Sequence, residues 1–214
     1  SSFAEPQEIV FPMKSRRTGK KIDLALPDFK GEVFQKVLDN VVSNDISEWC
    51  EKASGVLYML NLGGSSPEMF QEQVSDTTKP KVELEKVVMT SSDITSAIKN
   101  VLLLKYLYNE IGDSPIAICF SQWDIIDCEV GKDVEEWVKE NHPSVYNFVA
   151  EHFSDYRYFG VSAQGADYIE LSEQQSDELA EKTTQKERAY VYTDKKSFDI
   201  TEPIDFIISK TDED

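Results

Sequence analysis

Short apolar runs punctuate the chain, separated by stretches whose apolar residues recur every third or fourth position. The runs at 8–14, 21–26, 56–61, 115–120 and 156–162 have the length and β-branched or aromatic content of strands. Arg16-Arg17-Thr18-Gly19-Lys20 between the first two is a polar turn with a glycine, which predicts an antiparallel hairpin. Helical spacing governs 31–54, through Val33, Phe34, Val37, Leu38, Val41 and Val42 and then Ile46, Trp49 and Cys50. A long helix over 92–111 carries Ile94, Ile98, Val101, Leu102 and Leu107, and two shorter helices cover 133–139 and 144–153.

Gly63-Gly64-Ser65-Ser66-Pro67 opens a polar loop, and 166–187 is rich in Glu, Gln, Ser and Thr, the composition of an inserted loop. Ala189-Tyr190-Val191-Tyr192 suits an extra strand. Thr201-Glu202-Pro203 is a good start for a last helix. The alternation predicts one α/β domain over 1–214, with a loop or hairpin inserted at 166–200 before that helix. Its mixed, mostly parallel sheet is flanked by helices, the first two strands antiparallel and the rest parallel.

With 214 residues, 40% of them hydrophobic, the chain can bury a substantial core. Its net charge of −18 repels nucleic acid and anionic lipid, so neither is an expected partner. A basic protein is the easier match, although an acidic surface also serves solubility alone. Cys50, Cys119 and Cys128 show no metal-ligand spacing and no disulfide framework. His142 and His152 are the only histidines, too few for a zinc site or a catalytic triad. There is no apolar signal core, and the most apolar helix is interrupted by Lys105, so a cytoplasmic, reducing location is expected.

Three short sequences sit at the carboxyl ends of predicted strands: Leu26-Pro27-Asp28-Phe29-Lys30-Gly31-Glu32, Phe120-Ser121-Gln122-Trp123-Asp124, and Val161-Ser162-Ala163-Gln164-Gly165. Open α/β sheets bind ligands at that edge, where one ligand can touch all three. A carboxylate at Asp28 suits Mg²⁺ held through water, and Gly31 lets a backbone N–H approach a terminal phosphate. Asp124 can accept paired hydrogen bonds from the N1–H and 2-amino group of guanine, which adenine cannot offer. The Ala163 N–H can meet the guanine O6. Each motif alone also has a bland reading: a strand-ending turn at Asp28, a cap at Asp124, chance at Ser162-Ala163.

In this order the motifs resemble those of P-loop GTPases of the translation-factor-related class, and more narrowly GTPase-like proteins of prokaryotes and their viruses. Asp28-Phe29-Lys30-Gly31-Glu32 resembles Asp-x-x-Gly-Glu, Ser121-Gln122-Trp123-Asp124 resembles Thr-Lys-Trp-Asp, and 200–208 is similar to the closing helix. The resemblance spans 9–209. It implies a three-layer P-loop GTPase-like fold, a GTP or GDP ligand with Mg²⁺, and a nucleotide site at Asp28, Gly31, Ser121, Gln122, Asp124, Ser162 and Ala163.

Gln122 stands where the family has Lys and loses its charge. The residues after Gly31 supply no water-positioning glutamine. No GxxxxGK followed by Ser or Thr occurs, and the resemblance puts the strand feeding that loop between strands 21–26 and 56–61. Lacking it, those strands face each other with unpaired edges. A segment upstream of Ser1, another polypeptide, or a different strand such as 189–193 could fill the gap. The resemblance thus implies a guanine-nucleotide switch that hydrolyses GTP only when a phosphate loop is supplied. The alternatives are a pseudo-GTPase scaffold for a protein partner, or an unrelated Rossmann-like fold with chance motifs.

Overall fold

A computed structural model describes residues 8–15, 18–27, 37–38, 44–61, 96–126, 132–166 and 184–211, with Ser172, Gln174, Asp177 and Glu181. In chain order the elements are β1 (Glu8–Lys14), β2 (Lys21–Pro27), α1 (Asn44–Cys50), β3 (Val56–Asn61), α2 (Ser96–Ile111) and β4 (Ile116–Ser121). A 3₁₀ turn, Trp123–Ile125, precedes α3 (Val134–Asn141), α4 (Pro143–His152), β5 (Tyr156–Ser162), α5 (Gln185–Arg188), β6 (Tyr190–Tyr192), β7 (Lys196–Ser197) and α6 (Glu202–Thr211). All five strands read from the sequence are present. So is an additional strand at Tyr190–Tyr192, here the first arm of a small β6–β7 hairpin.

The larger sheet has five strands in the order β3-β4-β5-β6-β7. β3, β4 and β5 are parallel, and β6 and β7 join antiparallel. β4 is buried on both faces, as a continuously apolar central strand must be. Ile116, Ile118 and Phe120 face the core shared with α2, α3 and α4, where Leu104, Val138 and Val149 are buried. Ala117 and Cys119 face the other way and meet Phe206 and Ile207 of α6. The mixed sheet therefore lies between helical layers. Asp133 caps α3 by accepting the Glu135 N–H at 2.7 Å, and Pro143 begins α4, both suited to helix starts.

Two sequence expectations need correction. β1 and β2 form an antiparallel pair, with Ile9 opposite Leu26 and Phe11 opposite Leu24, but that pair is a separate two-stranded sheet. The single sheet expected from the strand pattern is split, because no described strand bridges β2 to β3. Nor does the 189–193 segment fill the gap: β6 pairs with β5, on the side of the sheet away from β3.

Between β2 and β3 lies a cleft of about 1040 Å³. Both strands line it along their length. Trp49 and Leu103 close it on one side, and Ile204 and Ile207 of α6 on the other.

Candidate functional site

Parallel pairing decides which sequence-selected residues meet. Ser121 at the end of β4 lies in register with Val161 of β5, so residues 121–124 and 162–163 leave the sheet at one edge. Asp28 and Gly31 lie outside the described residues.

Ser121 is tied into the sheet: its hydroxyl donates to the Leu60 carbonyl at 3.1 Å and holds the end of β4 to the end of β3. Gln122 then takes a left-handed conformation, φ 60 and ψ 39. It is the only non-glycine residue with positive φ among those described. Such a backbone costs roughly 1–3 kcal/mol and persists where the surroundings impose it. Here the imposing structure is the 3₁₀ turn, in which the Ile125 N–H donates to the Gln122 carbonyl and the Ile126 N–H to that of Trp123. The turn leaves Gln122 exposed and Asp124 half-buried, and sends Trp123 into the core.

Trp123 anchors this loop. Its ring meets Trp137 edge-on at 4.9 Å and stacks on Tyr192 at 5.9 Å. It also lies flat against the backbone of Gly160 in β5, where a Cβ would come within 2.2 Å of the indole. The loop bearing Asp124 can settle on the sheet only because residue 160 has no side chain.

On β5, Ser162 is fully buried and its hydroxyl oxygen accepts the Gly165 N–H at 2.8 Å. Gly165 has φ 85, and a Cβ there would meet the Arg188 carbonyl at 2.6 Å. The turn is thus tight on both counts, with Ala163 exposed upon it. Opposite Ser162 stands Tyr190 of β6. Burial pushes the Tyr190 phenol above its ordinary value, the Asp124 carboxylate adds to the rise, and pairing with the Ser162 hydroxyl pulls the other way. Asp124, Ser162 and Tyr190 therefore share one electrostatic neighbourhood. The Lys196 ammonium lies 4.5 Å from the centre of the Tyr190 ring, a cation–π contact.

Sequence reasoning picked out Asp124, Ser162 and Ala163 but passed over Gly160, Tyr190 and Lys196. The alternating Tyr190-Val191-Tyr192 was the available signal for the tyrosine. Nothing in the sequence marks Gly160 as the seat of an indole. Chemically, the edge offers a half-buried carboxylate next to a tight turn, a fit for a planar group with adjacent N–H donors. The described residues contain no group of three or more His, Cys, Asp or Glu able to hold a metal. Mg²⁺ bound mostly through water needs only one or two carboxylates. No described helix is long and apolar enough to cross a membrane.

Comparison with curated proteins and with solved structures returns no match. Comparison with family models matches residues 2–207 to Double-GTPase 1.

Proposed function

Because the chain belongs to the Double-GTPase 1 family, we propose that it is a guanine-nucleotide-binding switch protein whose base-recognition end is the β4–β5 edge. The observation supporting this reading is that Asp124 and Ser162, at the ends of adjacent parallel strands, both act on Tyr190. In this reading the Asp124 carboxylate accepts from the N1–H and 2-amino group of guanine, and Ala163 donates its N–H to O6. Gln122 packs its stem along the base, while Ser121 and Ser162 hold the two loops in place. Asp28 and Gly31 serve the phosphate end, Asp28 by holding Mg²⁺ through water. The metal would neutralise phosphate charge. Hydrolysis requires a phosphate loop with its lysine, which these 214 residues do not encode.

Gln122 in place of a lysine supports a second reading, a pseudo-GTPase that keeps the fold as an acidic scaffold for a protein partner. Titration of the longest native form of the protein with fluorescent guanine and adenine nucleotides separates the two. The switch reading expects binding that prefers guanine and is weakened by Asp124→Asn. Equal, negligible binding of both bases would leave the scaffold.

A further inference from the structure

The β6–β7 hairpin touches both loops of the base-recognition edge. β6 runs antiparallel to β5, with Tyr192 opposite Gly160 and Tyr190 opposite Ser162. Directly opposed residues share a face of the sheet, as do residues two apart on a strand. Both tyrosine rings therefore stand on the side where Trp123 covers Gly160. Tyr192 stacks on Trp123, the neighbour of Asp124, at 5.9 Å. Tyr190 stands beside Ser162, and the two hydroxyls are hydrogen-bonded.

Ser162 is held from two sides. Its oxygen accepts the Gly165 N–H at 2.8 Å. Its bond to Tyr190 favours the ionised phenol, so the Ser162 O–H donates and the phenol oxygen accepts. Both residues are buried, Ser162 at 0% and Tyr190 at 4% exposure, and buried hydroxyls depend on partners of this kind. Without the phenol oxygen the Ser162 proton is left unpaired. The side chain then regains a partner by changing rotamer, which takes its oxygen off the Gly165 N–H. The other end of the turn leans on the same segment, since a Cβ at Gly165 would meet the Arg188 carbonyl at 2.6 Å. The Tyr190 ring is itself pinned, with the Lys196 ammonium 4.5 Å from its centre.

We infer that Tyr190 is a positioning residue for base recognition: its hydroxyl fixes the turn from Ser162 to Gly165, and with it the Ala163 N–H, beside Asp124. The ligand in this inference rests on the nucleotide reading above; the residue rests on the hairpin. Tyr190 then acts at the O6 end of guanine, apart from the N1 and 2-amino end that Asp124 serves. The segment after the turn thereby supports the site from behind, without touching the base.

Tyr190→Phe is the test, because it removes the hydroxyl and keeps the ring, its burial and its contact with Lys196. The first measurement is residue-resolved hydrogen exchange on the chain without nucleotide. The Gly165 amide should exchange about fivefold faster, the scale of one net hydrogen bond, with the amides of 156–161 in β5 unchanged. The second is nucleotide titration of the longest native form of the protein. Tyr190→Phe should weaken GTP and inosine triphosphate alike, by about fivefold, because both carry O6. Asp124→Asn should instead shrink the preference for GTP over inosine triphosphate, because only guanine has the 2-amino group. In a Ser162→Ala background Tyr190→Phe should bring no further loss, since it acts through that hydroxyl.

Unchanged exchange at Gly165 overturns the inference, because the hydroxyl then holds nothing. Exchange that quickens equally at 156–161 also overturns it, because Tyr190 then only fills the core. So does a loss that falls on GTP alone, or one that persists in full in the Ser162→Ala background. If the native form binds guanine and inosine nucleotides no better than adenine nucleotides, the nucleotide reading falls, while faster Gly165 exchange still shows Tyr190 holding the turn.

Discussion

Gly160→Ala tests how the Asp124 loop is seated. The added Cβ would lie 2.2, 2.4 and 2.7 Å from Trp123 Cδ2, Cγ and Cε2. Carbon atoms rest about 3.5 Å apart, so the indole must retreat by about 1.3 Å. It has no room: Trp123 is 3% exposed and held between Trp137 and Tyr192. Overpacking of this kind costs about 1–3 kcal/mol, and disturbing the aromatic contacts adds about 0.5–1.5 kcal/mol. A total of about 1.5–4.5 kcal/mol lowers Tm by about 3–18 °C for a chain of this length. Thermal unfolding followed by tryptophan fluorescence measures it, and the double mutant identifies the cause. In a Trp123→Leu background the alanine should cost less than about 1 kcal/mol, because the ring it strikes is gone. Costs that add to within about 0.5 kcal/mol would refute the argument, since residues in contact should couple.

The remaining predictions concern chemistry. In the protein complete with a phosphate loop, Asp124→Asn should weaken GTP by about 1–3 kcal/mol, the cost of a mismatched buried polar partner, and should relax discrimination against xanthosine triphosphate. Competition titration reads both, and unchanged GTP affinity would remove Asp124 from the site. The chain alone should release negligible phosphate from GTP in a coupled assay, for want of a phosphate loop and its lysine; turnover at the rate of an assisted GTPase would refute this. Burial pushes the Cys119 thiol from 9.0 to about 12, so peptide mass spectrometry should find Cys119 unalkylated by iodoacetamide at pH 8 in the folded chain. The same shift has a signed effect on stability. Unfolded Cys119 loses its proton near pH 9 while the folded thiol keeps it, so its contribution is intact below pH 9 and falls as pH rises toward 12, by about 1.4 kcal/mol per unit.

Strand positions were legible because each run is short, apolar and bounded by polar or glycine-containing segments. All five strands lie within a residue of their expected ends. Parallel order for β3, β4 and β5 followed from the helices between them. What the pattern could not convey was pairing across a gap: the β2 and β3 sequences look equally suited to one sheet or two. The β7 strand has only two residues, too few to show a period. The placement of Asp124 and Ser162 at one edge of the sheet was readable from position alone. The role of Gly160 depends on a ring 37 residues earlier in the chain, and the approach of Tyr190 to Asp124 depends on a hairpin folding back along β5. Both are tertiary facts without a local signature.

The split between the two sheets also bears on how the molecule comes apart. Unfolding is all-or-none only where every part shares hydrogen bonds or core with the rest. The β1–β2 hairpin bonds to itself and stands across a cleft from β3, and an isolated two-stranded hairpin is marginal in water. It should open at lower free energy than the five-stranded sheet, giving the chain two cooperative units.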